Sequence, residues 1–264
     1  PLSYVAKDGN FKLLPSTDIY VKGNNAEETA EIMKIGQYLA DKLEPATGFD
    51  IDVLESDNPP EGSIYLTTVN GNDGLGDEGY ELDVDTEGVV MRAYKPEGLF
   101  RGIQTIRQML PAQIERSVRA FGVKWLIPCA SIYDKPAYEW RGFMLDEGRH
   151  FFGVEEVKRQ LDLMAQYKMN VFHWHLTDDQ GWRIEIKSMP NLAVAGGQLD
   201  YHENCEGGYY TQEEYTEIIN YAKERYITVV PEIDMPGHNG AAIKAYPELG
   251  TQGGTELNVY SEAT

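Results

Sequence analysis

The chain is short of cysteine, of positive charge and of long apolar runs. Its 264 residues include 2 cysteines, 5 histidines and 23 lysines and arginines, against 43 aspartates and glutamates. Cys129 and Cys205 lie far apart and lack the close spacing of a metal-binding motif, which leaves either one disulfide or two free buried thiols. The formal net charge of −20 repels phosphate backbones and anionic lipid surfaces, which are held by basic patches. Nucleic acid and membrane surfaces are therefore excluded as partners, and a neutral or cationic one is expected. No stretch approaches the roughly 20 apolar residues of a membrane span. The opening Pro1-Leu2-Ser3-Tyr4 has neither the basic nor the hydrophobic part of a signal peptide, although a removed export signal would leave the same start.

What is present points to globular structure. With 42% hydrophobic and 11% aromatic residues, the chain can bury one large core or two moderate ones. The acids are dispersed, and the densest group, at 73–85, is interrupted by glycine and apolar residues, as on a solvated surface.

In the first half, segments 18–22, 63–69, 80–84 and 89–94 alternate polar with apolar positions, as half-buried strands do. Two amphipathic helices interrupt them. One spans about 26–43 with Ile32, Ile35, Leu39 and Leu43 on one stripe, and the other about 97–110 with Leu99, Ile103, Ile106 and Leu110 aligned. Strands with helices on one face predict an α+β domain over residues 1–135, closed by a linker at 127–136 that carries Pro128 and Pro136. From 138 onward the order becomes strand (138–145), helix (154–167), strand (170–176), helix after Thr211, strand (227–233) and a short helix at 239–246. Thr211 and Glu214 have capping-box spacing. This rhythm predicts parallel strands with helical crossovers. An eight-unit barrel takes about 250 residues, whereas 136–264 holds about half that number. The expected fold is thus an α+β domain followed by an incomplete (β/α)8 TIM barrel of the first three to four βα units. Its open edge calls for another chain or a further C-terminal portion.

Two apolar runs end in chemistry. Val171-Phe172-His173-Trp174-His175-Leu176-Thr177-Asp178-Asp179-Gln180-Gly181-Trp182-Arg183 and Ile227-Thr228-Val229-Val230-Pro231-Glu232-Ile233-Asp234-Met235-Pro236-Gly237-His238 each carry a strand into acids and histidine. Catalytic groups of barrels sit at C-terminal strand ends, so the two runs point to one shared site. His173 and His175 share a side of their strand, and with His238 and Asp178 they also fit a metal-dependent amidohydrolase; in that reading they ligate zinc or iron. A third possibility is a non-catalytic carbohydrate-binding protein. His202 and Cys205, one of each, do not make a metal site.

Trp140-Arg141-Gly142-Phe143-Met144-Leu145-Asp146 with Gly148-Arg149-His150-Phe151, the 170–183 run and Pro231-Glu232-Ile233-Asp234-Met235-Pro236-Gly237-His238 together resemble the family 20 glycoside hydrolases, the β-N-acetylhexosaminidases. Leu99-Phe100-Arg101-Gly102-Ile103-Gln104-Thr105 resembles a helix of that family's N-terminal domain. The resemblance implies removal of terminal N-acetylglucosamine or N-acetylgalactosamine from glycans or chitooligosaccharides, without metal or cofactor, by attack of the substrate's own acetamido oxygen. It also makes export to meet extracellular glycans an expectation. In the family, an aspartate orients the acetamido group and a glutamic acid protonates the leaving oxygen, both within a His-x-Gly-Gly-Asp-Glu motif. This sequence does not contain that motif, so residues 1–264 alone are expected to be inactive. Asp146-Glu147 has the dipeptide order but belongs to the first-strand motif, and Glu147 is expected to be structural or on the surface.

By the same resemblance Arg141 binds sugar hydroxyls, with an ion pair to Asp234 as the bland alternative, while Asp178 and His238 form a supporting pair beside the catalytic acid. His175 and Asp234 are further substrate-binding candidates, His173 is expected in the core, and Trp174 and Trp182 divide evenly between sugar stacking and core. Arg141, Asp178 and His238 are expected to converge on one rim.

Overall fold

The computed structural model describes residues 1–197 and 207–250. The chain divides into two compact units, Pro1–Glu139 and Trp140–Thr264.

The first unit contains β1 (Ser3–Lys12), β2 (Ile19–Lys22), α1 (Ala26–Thr47), β3 (Val53–Glu55), β4 (Ile64–Thr67), β5 (Tyr80–Val84), β6 (Val89–Ala93), α2 (Pro96–Met109) and β7 (Leu126–Asp134). The strands form one sheet in the order β1-β7-β5-β6-β4-β2-β3. Pairing is antiparallel from β1 to β6 and parallel from β6 to β3. Ile19, Val21, Ile64, Leu66, Leu82, Val84, Val89 and Met91 alternate inward, and Ile32, Leu39 and Leu43 of α1 with Leu99, Ile103 and Ile106 of α2 are equally buried. In α1, a Cβ at Gly36 would lie 2.7 Å from Val53 Cγ1, so glycine there lets the helix settle onto the sheet.

The expected linker is instead β7, an internal strand held by β1 and β5. Pro128 is accommodated because it lies opposite Asn10, at the register irregularity between Ala6 and Asn10, where the ladder is already interrupted. Cys129 on β7 is a buried free thiol. Cys205 and His202 lie outside the described residues.

The second unit runs β8 (Gly142–Asp146), α3 (Val154–Gln166), β9 (Val171–His175), α4 (Asn191–Val194), α5 (Gln212–Lys223), β10 (Thr228–Glu232) and α6 (Gly240–Ala245). Its three strands are parallel, in the order β10-β9-β8. Phe172 and Trp174 leave one side of β9 fully buried, with Trp174 stacked on Tyr215 of α5 at 5.4 Å and meeting Tyr210 edge-on at 4.8 Å. Val157, Leu161 and Met164 of α3 and Ile218 and Ala222 of α5 are buried as well. On the other side Met144, His173 and Val230 stand in register, with Met144 49% exposed.

Helix α5 starts where the capping box was expected. Glu214 N–H donates to Thr211 Oγ1 at 3.1 Å, and Thr211 N–H donates back to the Glu214 carboxylate at 2.9 Å. Thr211→Ala is expected to cost about 1 kcal/mol of stability in urea unfolding, the usual price of an N-cap.

Candidate functional site at the carboxyl edge of the parallel sheet

The last residues of the three strands stand side by side: Asp146 on β8 is in register with His175 on β9, and His175 with Glu232 on β10. Just beyond them the chain turns, and the turns bring in Arg149, Asp178, Asp179 and His238. Asp178 is at the centre, buried to 2% residual exposure. Its Oδ2 accepts from His175 Nε2 at 3.0 Å and from Arg149 Nη2 at 2.9 Å. Its Oδ1 accepts from Asp179 N–H at 2.7 Å and faces His238 Nδ1 at 3.2 Å. The turn after β8 lies tight against it, since a Cβ at Gly148 would sit 2.8 Å from Asp178 Cβ.

Burial alone would push the Asp178 carboxyl up. The His175 hydrogen bond, the Asp179 N–H and the charges of Arg149 and His238 outweigh that and hold it below its usual value. His238 adopts φ +52°, a left-handed backbone that a β-substituted residue occupies at some strain, of the kind found where geometry serves a site.

The structure unites Asp178 and His238 as expected but places Arg141 elsewhere. Arg141 precedes the first residue of β8; its N–H donates to Asn170 Oδ1 at 3.0 Å and its Nε to Lys168 O at 2.8 Å. Those partners mark the N-terminal ends of β8 and β9, separated from Asp146 by five residues, about 16 Å of strand. The expected convergence of three residues therefore holds for two, and Arg141 is corrected to a residue that ties strand starts together. The guanidinium at the rim is Arg149, 48% exposed in its side chain and paired with Asp146 as well as Asp178. Sequence reasoning passed over it although it stands three residues beyond a C-terminal strand end, the position that barrel logic favours.

Two more expectations change. His175 is buried, with both ring nitrogens engaged: Nε2 by Asp178 and Nδ1 by Glu232 Oε2 at 2.9 Å. Both ring nitrogens thus face carboxylates, and with the side chain buried His175 stands behind the rim rather than on it. His173, expected in the core, keeps 39% of its side chain exposed and points Nε2 at the same Glu232 oxygen. Asp234 follows β10, half-buried, with its N–H bound to Thr177 Oγ1 at 2.9 Å. Among the described residues, Asp178, Asp179 and His238 offer ligand atoms within 4.8 Å of one another. Within the cluster Asp178 Oδ1 accepts from the Asp179 N–H and faces His238 Nδ1, and Asp179 Oδ1 accepts Gly240 N–H at 2.9 Å.

Behind the rim lies a buried polar core. Glu147 is fully buried rather than on the surface; its Oε1 accepts from Tyr210 Oη at 2.8 Å, and its Oε2 is without a hydrogen bond of normal geometry. Burial, only partly offset by Tyr210 and the Arg183 charge, pushes its carboxyl up to about 8. Arg183, also fully buried, donates to the carbonyls of Glu147 and Gly148 and of Gly197, fastening the turn that carries Arg149. Trp182 packs with Leu192, Ala241 and Ala242 and donates Nε1–H to Ile184 O at 2.7 Å, so both Trp174 and Trp182 are core.

Carboxylates, an imidazole and a guanidinium gathered at the carboxyl edge of parallel strands joined through helices are the arrangement of the β/α-barrel class of enzymes. Residues 138–264 match the glycosyl hydrolase family 20 catalytic domain, and residues 1–135 match domain 2 of the same family. The chain belongs to glycosyl hydrolase family 20. It is 41% identical over 250 residues to a beta-hexosaminidase of Porphyromonas gingivalis, covering 94% of this chain and 31% of that protein. A Cellulomonas fimi beta-N-acetylhexosaminidase is 33% identical, with 99% of this chain and 50% of that protein covered. Among solved structures, the GH20 beta-N-acetylhexosaminidase of Streptomyces coelicolor A3(2) superposes with a TM-score of 0.87 at 44% identity, over 96% of this chain and 49% of that one. A mutant Streptomyces plicatus beta-hexosaminidase in complex with product (GlcNAc) gives 0.86 at 44% identity, over 96% and 48%. The chain thus spans half or less of the length of these relatives. Among the described residues no helix is long and apolar enough to cross a membrane.

Proposed function

We propose that this chain is the first part of an exo-acting, retaining β-N-acetylhexosaminidase that releases terminal N-acetylglucosamine or N-acetylgalactosamine with help from the substrate's acetamido group. The observation that carries the reading is the Arg149–Asp178–His238 cluster at the carboxyl edge of the parallel sheet. Arg149 offers a planar fork of donors suited to adjacent sugar hydroxyls. Asp178 holds His238 by Nδ1, leaving Nε2 to exchange a proton or bond with the acid that protonates the leaving group. Asp234 is the second substrate-facing group.

That acid and the acetamido-orienting aspartate belong to further βα units. Two observations support this: the sequence has no His-x-Gly-Gly-Asp-Glu, and the β8–β10 sheet leaves Met144 and His173 open on the side that a closed barrel fills with side chains. The test is release of nitrophenol from a nitrophenyl β-N-acetylhexosaminide. A protein extended through the remaining units turns over, and residues 1–264 do not, since loss of a general acid alone removes about 10² to 10⁴ in rate. Comparable turnover by the short chain would overturn the assignment of the acid, and none by the extended one would leave a sugar-binding protein.

A further inference from the structure

His175, Glu232 and His173 lie directly behind the Asp178–His238 pair and have no part in the chemistry above. His175 is the middle member of the row formed by the three strand ends, between Asp146 and Glu232. Ionised carboxylates only accept hydrogen bonds, so a ring whose Nε2 lies 3.0 Å from Asp178 Oδ2 and whose Nδ1 lies 2.9 Å from Glu232 Oε2 needs a proton on each nitrogen. A neutral tautomer would turn a lone pair toward one carboxylate oxygen in a buried site. We propose that His175 is a positioning residue, a doubly donating imidazolium that keeps Asp178 ionised and turned so that its other oxygen fixes the tautomer of His238.

The charge balance agrees. Asp146, Asp178, Asp179 and Glu232 gather here, and Arg149, on the Asp178 side, is the guanidinium paired with two of them. Glu232, from β10, faces both His175 and His173, and its carboxyl is held below the usual value: burial opposes this, and the two imidazole hydrogen bonds outweigh it. For His175 burial disfavours charge, yet the bonds to Asp178 and Glu232 and the fields of Glu232 and Asp146 raise its pKa above the ordinary histidine value. With His175 charged, Asp178 Oδ2 is occupied by two cationic donors and Oδ1 is left for His238 Nδ1–H. Without it, Asp178 keeps Arg149 on Oδ2 and the Asp179 N–H on Oδ1 but loses its buried cationic donor, and its hold on the His238 tautomer weakens.

The inference rests on reading Asp178 and His238 as the supporting pair, and its test needs no turnover. Long-range ¹H–¹⁵N spectra of the protein extended through the remaining βα units, ¹⁵N-labelled at histidine, report on the ring nitrogens of His175 and His238. Both His175 nitrogens are expected to be protonated at pH 7 and to stay so above the free-histidine range, with His238 in the Nδ1–H form. Glu232→Gln is expected to lower the His175 midpoint by about one pH unit or more, through loss of one carboxylate. His175→Gln is expected to shift His238 to a mixture of tautomers. A wild-type His175 titrating at or below about 6.5, the ordinary value, overturns the proposal, as does a His238 pattern indifferent to His175→Gln. Should His175→Gln not fold, Glu232→Gln decides alone, because its side chain is 36% exposed and glutamine has the same shape. An extended protein that fails to hydrolyse its substrate would refute the hydrolase reading and leave these spectra unchanged.

Discussion

Asp178→Ala is expected to destabilise the chain at neutral pH by about 3–5 kcal/mol in urea unfolding, the range for removing one partner of a buried ion pair. The reason is the company it keeps: His175, Arg149 and His238 all aim donors at one buried carboxylate, and alanine leaves those donors unmatched. Asp178→Asn should recover little, because its amide nitrogen presents donors to donors at one of the two oxygen positions. The pH dependence follows from the depressed pKa. A carboxyl held below its unfolded value contributes stability above about pH 4 and loses it as pH falls through the folded value, so the gap between wild type and Asp178→Ala should narrow in acid. A gap that stays constant from pH 7 to pH 3 would mean that packing, not charge, makes Asp178 important.

Glu147→Gln should act in the opposite sense. With the Glu147 carboxyl raised to about 8, the native state keeps a proton that the unfolded chain releases near pH 4.5. The stability linked to that proton is complete below pH 4.5, declines as pH rises toward 8 by at most about 1.4 kcal/mol per unit, and is flat above. Glutamine reproduces the neutral acid, its oxygen accepting from Tyr210, so the variant should match wild type near pH 5 and exceed it by a few kcal/mol at pH 8. Thermal melts of both proteins across that range decide the matter. Parallel curves would show that Glu147 ionises in the folded protein without penalty.

The helices and inner strands of the first unit were legible because each carries a clear period, as in Leu99, Ile103 and Ile106 or Leu82 and Val84. β1 was not, since nine of its ten residues are exposed, with Phe11 alone buried, and no alternation survives. β7 is illegible because Pro128 argues against an internal strand, and only its opposite residue, in a distant segment, shows why proline is tolerated. Asp178 and His238 could be found because each follows an apolar run that fixes a strand's direction. Arg141 stands at the opening of its strand, where the rule that barrel sites lie at C-terminal strand ends argues against a role at the rim, while Arg149, which does stand there, lies in a turn with no period. The burial of Glu147 depends on Tyr210, 63 residues away, and no local pattern reports that.

The ladder that aligns Met144 with His173 and Asp146 with His175 gives the enzyme edge an arithmetic of its own. Side chains on a strand alternate, so deleting one residue within β9 would swing both imidazoles under the helices and drive Phe172 and Trp174 out through the opposite face. Point changes around the rim can be graded, but a change of length there is all or nothing. Insertions and deletions should be accommodated in the connections and be fatal inside these five-residue strands.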